Sequence, residues 1–548
     1  DGFGVVLSAM TGGDGNQLVK TGDITVGDGG TAVGLYLSGD NLVLNSGTIS
    51  AGVGGYGVNV SGNGNTVTNW GSISAIPSAD PSGNTSTIVI NGSDNVLNLE
   101  GHSTVNGKIT GFGTDSSGNP LNTLNLNFTG LSPEAIAALR ADIAAQLAAD
   151  PDQSEGITFT VRGVTYTVDP MLIDTEGLLS YEGQGGTPNQ AALGANLDSL
   201  AESPEPGSEL FKLLNAVDLS EDVPMALASL SPQRYQLFGD IAVSTMSSVS
   251  QQIDHRMAFL SEDMPEKRGN LWISGGYKDA TVDGDDRDVT DAKFSTNSVV
   301  VGADYRVNPV FTVGALFHYS TTNDAELDNL GSKADVDSRG FGIYAGYRQG
   351  GFYGNALAVY SKNDYESKRI VPIPGYTYLA KADTNGHQTG FGIDGGYDFR
   401  INEQLTVGPL AGLQWVRLKV DSFEETGALA ADLGVDNQTM TSLLGRVGGR
   451  LAYSAPVSGN DTFSLDVHAA FQHEFKNDSR DITAVFLGSG LDAFTVKTTD
   501  PKRNSVLLGA GFNYDFHGVA SVFANYDLQA GSSNWHEHNV KGGVRISF

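Results

Sequence analysis

From Asn270 onward, apolar and polar residues alternate over stretches of about ten positions, the length of a tilted membrane-crossing strand. Phe311, Val313, Ala315, Phe317 and Tyr319 alternate with Thr312, Gly314, Leu316, His318 and Ser320. Leu405, Val407, Pro409, Ala411, Leu413 and Trp415 alternate with Thr406, Gly408, Leu410, Gly412 and Gln414. Val506, Leu508, Ala510, Phe512 and Tyr514 alternate with Leu507, Gly509, Gly511, Asn513 and Asp515. Successive side chains on a strand point to opposite faces. Each stretch therefore has one apolar face and one small or polar face, with Leu316, Leu410 and Leu507 against the pattern. At the end of the chain Val540, Gly542, Val544, Ile546 and Phe548 share one face, and Lys541, Gly543, Arg545 and Ser547 the other. The edge strand of a soluble sheet alternates in the same way. Twelve such stretches in succession predict a closed antiparallel barrel, apolar face to lipid and polar face to a lumen.

The connections sort by length. Strand ends near Arg306, Arg348, Arg400, Pro456 and Phe516 lead into short links: Val307-Asn308, Gln349-Gly350, 401–404, 457–461 and His517-Gly518. The alternate connections, about 279–294, 321–334, 365–384, 421–437, 477–502 and 531–536, are longer. Short periplasmic turns alternating with long external loops are the pattern of an outer-membrane barrel. An even count puts both ends of the barrel on the periplasmic side.

Ahead of the barrel the period changes. Between Asn189 and Met264 the spacing is helical and β-branched residues thin out. A short helix is expected around Leu210–Val217 after the breaker Ser203-Pro204-Glu205-Pro206-Gly207, and a longer one through Ser244–Leu260. That last helix has a weak apolar stripe and many polar residues, among them Gln251, Gln252, Asp254, His255 and Arg256. A soluble helical domain is one reading; a helix filling a wet lumen is the other.

The first third is repetitive. Thr21-Gly22-Asp23-Ile24-Thr25, Ser46-Gly47-Thr48-Ile49-Ser50 and Trp70-Gly71-Ser72-Ile73-Ser74 return at a spacing of about 24 residues, and Ile90-Asn91-Gly92-Ser93-Asp94-Asn95 continues the series after an insertion at 76–84. Short Val/Leu/Ile strands between Gly/Asn/Ser corners predict a short right-handed β-solenoid of about four coils over 1–128. A plain Gly/Asn/Ser linker is the alternative. Ser132-Pro133 predicts a helix start, Glu134–Ala149 an alanine-rich helix with Ile136, Leu139, Ile143 and Leu147 on one side, and Ile157–Val168 a hairpin. Together 129–186 are expected to cap the solenoid or insert into it, shielding its open end from edge pairing.

Composition narrows the partners. The net charge is −31 at pH 7, which argues against nucleic acid, whose binding needs a basic surface. There is no cysteine, so disulfides, thiolate catalysis and cysteine-bound metals are out. No run of about 18 apolar residues forms a membrane helix. A chain opening on Asp1 fits a processed or trimmed start, with any signal peptide removed, and fits an arbitrary boundary equally.

With the helical segment and the barrel together, the chain resembles the autotransporters of type V secretion. The resemblance rests on Thr187-Pro188-Asn189-Gln190, the stretch Leu230–Tyr235, the polar helix, Trp272, Pro409-Leu410-Ala411-Gly412-Leu413, His473-Glu474-Phe475 and the terminal Phe548, and covers about 187–548. It implies an all-β protein in three parts. These are a passenger at 1–186, a helical linker at 187–264 with a pore helix at about 244–263, and a twelve-stranded β-barrel at 265–548 with that helix in its lumen. It also implies a Gram-negative outer-membrane location with the passenger at the cell surface. Its partners would be lipid and lipopolysaccharide, and the barrel-assembly machinery, with Phe548, Ile546 and Val544 resembling the signal that machinery reads.

Little chemistry stands out, and neither an enzyme nor a cofactor is expected. A Ser-His-Asp site in the passenger would need His102, which reads as a turn residue, and no Gly-x-Ser-x-Gly elbow supports it. His536-Glu537-His538 lacks a third ligand for a metal. Asp283, Asp285, Asp286, Asp288 and Asp291 lack the order of a calcium loop, as do Gly12-Gly13-Asp14-Gly15-Asn16 and Gly27-Asp28-Gly29-Gly30. The favoured reading is a displayed solenoid with an adhesive or structural role, acting on a surface ligand or by self-association. A porin-like barrel with a decorative N-terminal domain and a carrier of a passenger hydrolase are the alternatives.

Overall fold

The computed structural model describes the chain apart from residues 1, 9–14, 37–38, 81–82, 84, 113, 118, 152, 154–155, 203–207, 260–267, 283–291, 329, 458, 460, 488–492, 500–502 and 532–534. The acidic stretch Asp283–Asp291, Asp14 and the breaker at 203–207 lie outside the described residues. Two compact units form: Asp1–Leu227 with Ile373–Tyr376, and Ala228–Pro372 with Thr377–Phe548.

The N-terminal unit is a β-solenoid. Its strands pair in parallel, each with the equivalent strand one coil on, and build three stacked faces. The register puts like on like. Val33, Val58, Ile88, Ile109 and Val168 form one apolar row, and Val43, Val67, Leu97, Leu124 and Ile173 another. These rows make a dry core of aliphatic side chains, fully buried except for Ile173 at the end of its row, so each coil is stable only against its neighbours. The hairpin Ile157–Val161/Val164–Asp169 adds to this stack, because its second strand pairs in parallel with Thr104–Phe112.

Asparagine holds one corner. Asn16, Asn41, Asn65, Asn95 and Asn122 form a ladder, each amide donating to the next Oδ1 at 2.7–3.0 Å. At another corner glycine is required: a Cβ on Gly71 would lie 2.1 Å from the Gly47 carbonyl, and one on Gly47 2.1 Å from that of Gly22. The 24-residue return of glycine thus reflects backbone stacked on backbone. Helix α1, Pro133–Ala149, starts at the Ser132 cap and buries Ile136, Leu139 and Ile143. Four further helices follow: α2 Tyr181–Gln184, α3 Pro188–Leu200, α4 Glu209–Asp218 and α5 Val223–Leu230.

The C-terminal unit is a barrel of twelve antiparallel strands among the described residues, closed where Gly269–Val282 pairs with the last strand, His536–Ser547. Ile273 faces Val544 across this seam, and the Phe548 and Gly269 backbones exchange two hydrogen bonds. Alternation sorts side chains as the sequence predicts. Phe311, Val313, Phe317 and Tyr319 are exposed on the outer face, and Thr312, Leu316, His318 and Ser320 are buried inside. Near the short turns the outer face carries aromatic pairs, Phe311–Tyr347, Phe352–Tyr397 and Tyr514–Phe516, as at a membrane interface.

Some long connections differ from expectation. Residues 365–384 are strand almost throughout, because Phe352–Ile373 and Tyr376–Tyr397 run on as one ribbon. The connections at 421–437 and 477–502 carry a separate four-stranded sheet.

Candidate functional site: a plugged barrel lumen

Helix α6, Leu237–Ala258, lies inside the barrel. It begins ahead of the Ser244 expected from sequence, and 260–263 lie outside the described residues. One side of it is apolar. Met246, Val249, Ile253 and Met257 pack on Trp272, Val300, Leu316, Tyr344, Leu357, Val359 and Val416 of the wall. Leu316, which breaks the polar inner pattern, therefore has a dry partner. The lumen is not uniformly wet.

The other side is hydrogen-bonded residue by residue. Arg256 grips Asp304 through Nε and Nη2, both at 3.0 Å, and Asp304 also accepts from Asn270 at 2.7 Å and Tyr344 at 3.0 Å. Asp254 pairs with Arg446, which also donates to Asp394 at 2.6 Å. Gln251 accepts from Asn539 at 2.8 Å, and Gln252 from Ser274 at 3.3 Å. His255 Nε2 meets Asp527 at 3.0 Å. Lys278 and Lys541 donate to the carbonyls of Ser244 and Ser248 at 2.7 and 2.5 Å. A buried charge is tolerable only when paired, so each contact fixes the helix at one height and rotation.

A second cluster holds the segment before α6. Arg369, with no exposed side-chain surface, forms a two-pronged pair with Glu425 at 2.8 and 2.5 Å, and Tyr235 donates to the same carboxylate. Arg234 pairs with Asp328 and donates to Ser332 at 2.9 Å. This gives the Leu230–Tyr235 stretch a structural role. With helix and segment in place, two spaces of about 130 and 60 Å³ remain beside α6 among the described residues.

Asp304, Arg369, Glu425, Arg446, His468 and Asp527 were not singled out from sequence. A readable signal existed for some of them: a charge on the inward phase of a membrane strand must have a partner. Which partner was not readable. Phe548, Ile546 and Val544 sit exposed on the outer face of the closing strand.

In the N-terminal unit, His102 does lie in a turn, but its ring is buried. Its Nε2 meets Tyr181 Oη at 2.8 Å, and that hydroxyl donates to Asp218 at 2.6 Å. Burial, then the nearby Arg162 guanidinium, pushes the His102 imidazole well below its ordinary range. Burial raises the Asp218 carboxyl to about 6, and Asp198 likewise to about 6.

Residues 271–527 match the family model for the autotransporter beta-domain. The barrel is an autotransporter beta-domain. Outer membrane protein A of Rickettsia conorii (strain ATCC VR-613 / Malish 7) is 23% identical over 476 residues, 77% of this chain and 23% of that protein. Esterase EstA of Pseudomonas aeruginosa is 23% identical over 256 residues, 46% of this chain and 38% of that protein. The chain thus spans well under half the length of these curated relatives. The translocator domain of the autotransporter NalP from Neisseria meningitidis is 18% identical, with 56% of this chain and 99% of that one covered and a TM-score of 0.43. The chain joins this autotransporter beta-domain to an N-terminal β-solenoid.

Proposed function

We propose that the barrel anchors and exports the solenoid, which acts at the cell surface as an adhesive or structural module and not as an enzyme. The observation that carries this reading is the in-register coil stack. It repeats side chains of one kind along a face: Thr25, Ser50, Ser74 and Asn106 form one polar row, and Thr48, Ser72 and Thr104 another. A row of hydroxyls and amides at strand spacing suits multivalent contact with an extended polymer or a second copy of the passenger.

The helix-filled lumen weighs against porin-like flux. An esterase among the relatives is the observation on the hydrolase side. Against it, the one histidine in residues 1–227 is His102, held against Tyr181 and buried away from substrate. On this reading Phe548, Ile546 and Val544 are what the assembly machinery reads, and lipopolysaccharide surrounds the exposed outer face.

The test compares cells carrying the full chain with cells carrying the chain lacking 1–186. The expected result is attachment or cell–cell aggregation that depends on 1–186, with ester hydrolysis equal in both. Ester turnover that vanishes with 1–186 contradicts the reading.

A further inference from the structure

His255 in the last turn of α6, His468 on strand Thr462–Glu474 and Asp527 on strand Ala520–Gly531 meet in the lumen, with one ligating atom from each lying within 4.8 Å of the others. They are separated by 213 and 59 positions in the chain. Cross-strand register brings the last two together. His468 pairs with Gly509, and Gly509 with Asp527, so both side chains lean over a residue that has none. A Cβ on Gly509 would lie 2.2 Å from His468 Cε1 and 2.5 Å from Asp527 Oδ1, and one on Gly511 would lie 2.9 Å from His255 Nδ1. Two inward glycines thus clear the space these three groups occupy.

The two distances from Asp527 suit one small ion. Asp527 Oδ1 is 3.0 Å from His255 Nε2 and 3.7 Å from His468 Nε2. Zinc bonds of about 2.0–2.1 Å in a tetrahedron put ligand atoms about 3.3 Å apart, between those two values. Asp527 Oδ2 is buried and has no hydrogen-bond partner among the described residues. Of the neighbouring cations, Arg450 pairs with Asp466 at 2.9 Å, and Lys541, whose charge also acts on Asp527, donates to the Ser248 carbonyl.

An outer partner is present too. His468 Nδ1 faces Asp466 Oδ1 at 3.5 Å, the carboxylate–imidazole arrangement that turns the other ring nitrogen toward a metal. The adjoining space of about 60 Å³ has room for a water as fourth ligand.

We propose that His255, His468 and Asp527 bind one divalent transition-metal ion, with zinc the best fit, and that the ion pins the last turn of the lumen helix to the barrel wall. The site joins the plug to two wall strands, so loading it stabilises the closed barrel. It adds a cross-link that the paired charges of α6 do not supply.

The test uses the full chain folded in detergent, stripped with chelator, then titrated with Zn²⁺ and separately with Co²⁺. Expected are one saturable equivalent per chain and a strong visible Co²⁺ band of tetrahedral type. Affinity should fall at least about 100-fold in His468→Gln and His255→Ala, and about 10-fold or more in Asp466→Asn. Resistance of heat-modifiable gel mobility to temperature should rise with Zn²⁺ in the parent and not in His468→Gln. Should His255→Ala fail to assemble, His468→Gln carries the comparison, because His468 lies on a wall strand and leaves α6 itself unchanged. No saturable binding, a weak octahedral Co²⁺ spectrum, or binding that survives His468→Gln and vanishes in His536→Ala would overturn the proposal.

Discussion

Replacing Asn95 with Ala removes one rung from the ladder on which the passenger coils stack. Asn95 is buried, at 1% exposure. Its Oδ1 accepts from the Asn65 backbone N–H at 2.9 Å and from Asn65 Nδ2 at 3.0 Å, and its Nδ2 donates to Gly62 O at 2.9 Å and Asn122 Oδ1 at 3.0 Å. Truncation strands the two buried donors of Asn65. At about 1–3 kcal/mol for each unsatisfied buried group, the loss is about 2–6 kcal/mol. With a urea slope of about 1–3 kcal/mol per molar, the passenger midpoint falls by at least about 0.7 M. The four tryptophans include one in the N-terminal unit, Trp70, whose ring packs near Gly101 of the next coil. Trp70 fluorescence of the full chain therefore reads the coils while the barrel stays folded. Thr25→Ala, at an exposed hydroxyl pair with Ser50, serves as control and stays within about 0.5 kcal/mol. A midpoint shift for Asn95→Ala no larger than that of Thr25→Ala refutes the claim that the ladder carries the stack.

Three further outcomes follow from other parts of the molecule. Deleting α6, residues 237–258, raises the conductance of the full chain in planar bilayers at least about tenfold, since wall charges then line open water; unchanged conductance refutes the plug. Asp218 and Asp198 titrate near 6 when folded and near 4 when unfolded, so folding takes up protons and the passenger gains stability as pH falls from about 6 to 4. His102, buried neutral, opposes them with one proton, because only the unfolded chain charges it below about 6.5. Asp218→Asn should therefore remove one proton from the slope of urea stability between pH 4 and 6, about 1.4 kcal/mol per pH unit; an unchanged slope means Asp218 does not titrate there. Phe548→Ala should lower the assembled fraction of barrel in the outer membrane several-fold, scored by heat-modifiable mobility, and full assembly refutes the signal role of the terminus.

The barrel was legible in the chain because lipid permits no exceptions on its side. Phe311, Val313, Phe317 and Tyr319 must all be apolar, so their period survives in the letters. Beyond the membrane that constraint lapses. In Tyr365-Glu366-Ser367-Lys368-Arg369 the outward residues are Glu366 and Lys368, and the ribbon reads as a connection although its strands continue. The Asn and Gly returns were legible because each coil sets the same steric problem at the same corner. The lumen was legible only by half. Arg256 and Asp254 announce polar partners, yet Asp304 and Arg446 lie 48 and 192 positions away, and only strand register decides which of them arrive. His102 shows the same limit, since the groups that bury it, Tyr181 and Asp218, come from helices far along the chain.

The central claim is an outer-membrane barrel that holds its solenoid outside the cell. External protease applied to intact cells, with separate antibodies to residues 1–186 and to the barrel, tests it most directly. The account predicts loss of the 1–186 signal while a barrel-sized fragment persists. A 1–186 signal that resists protease on intact cells and disappears once the outer membrane is broken would contradict it.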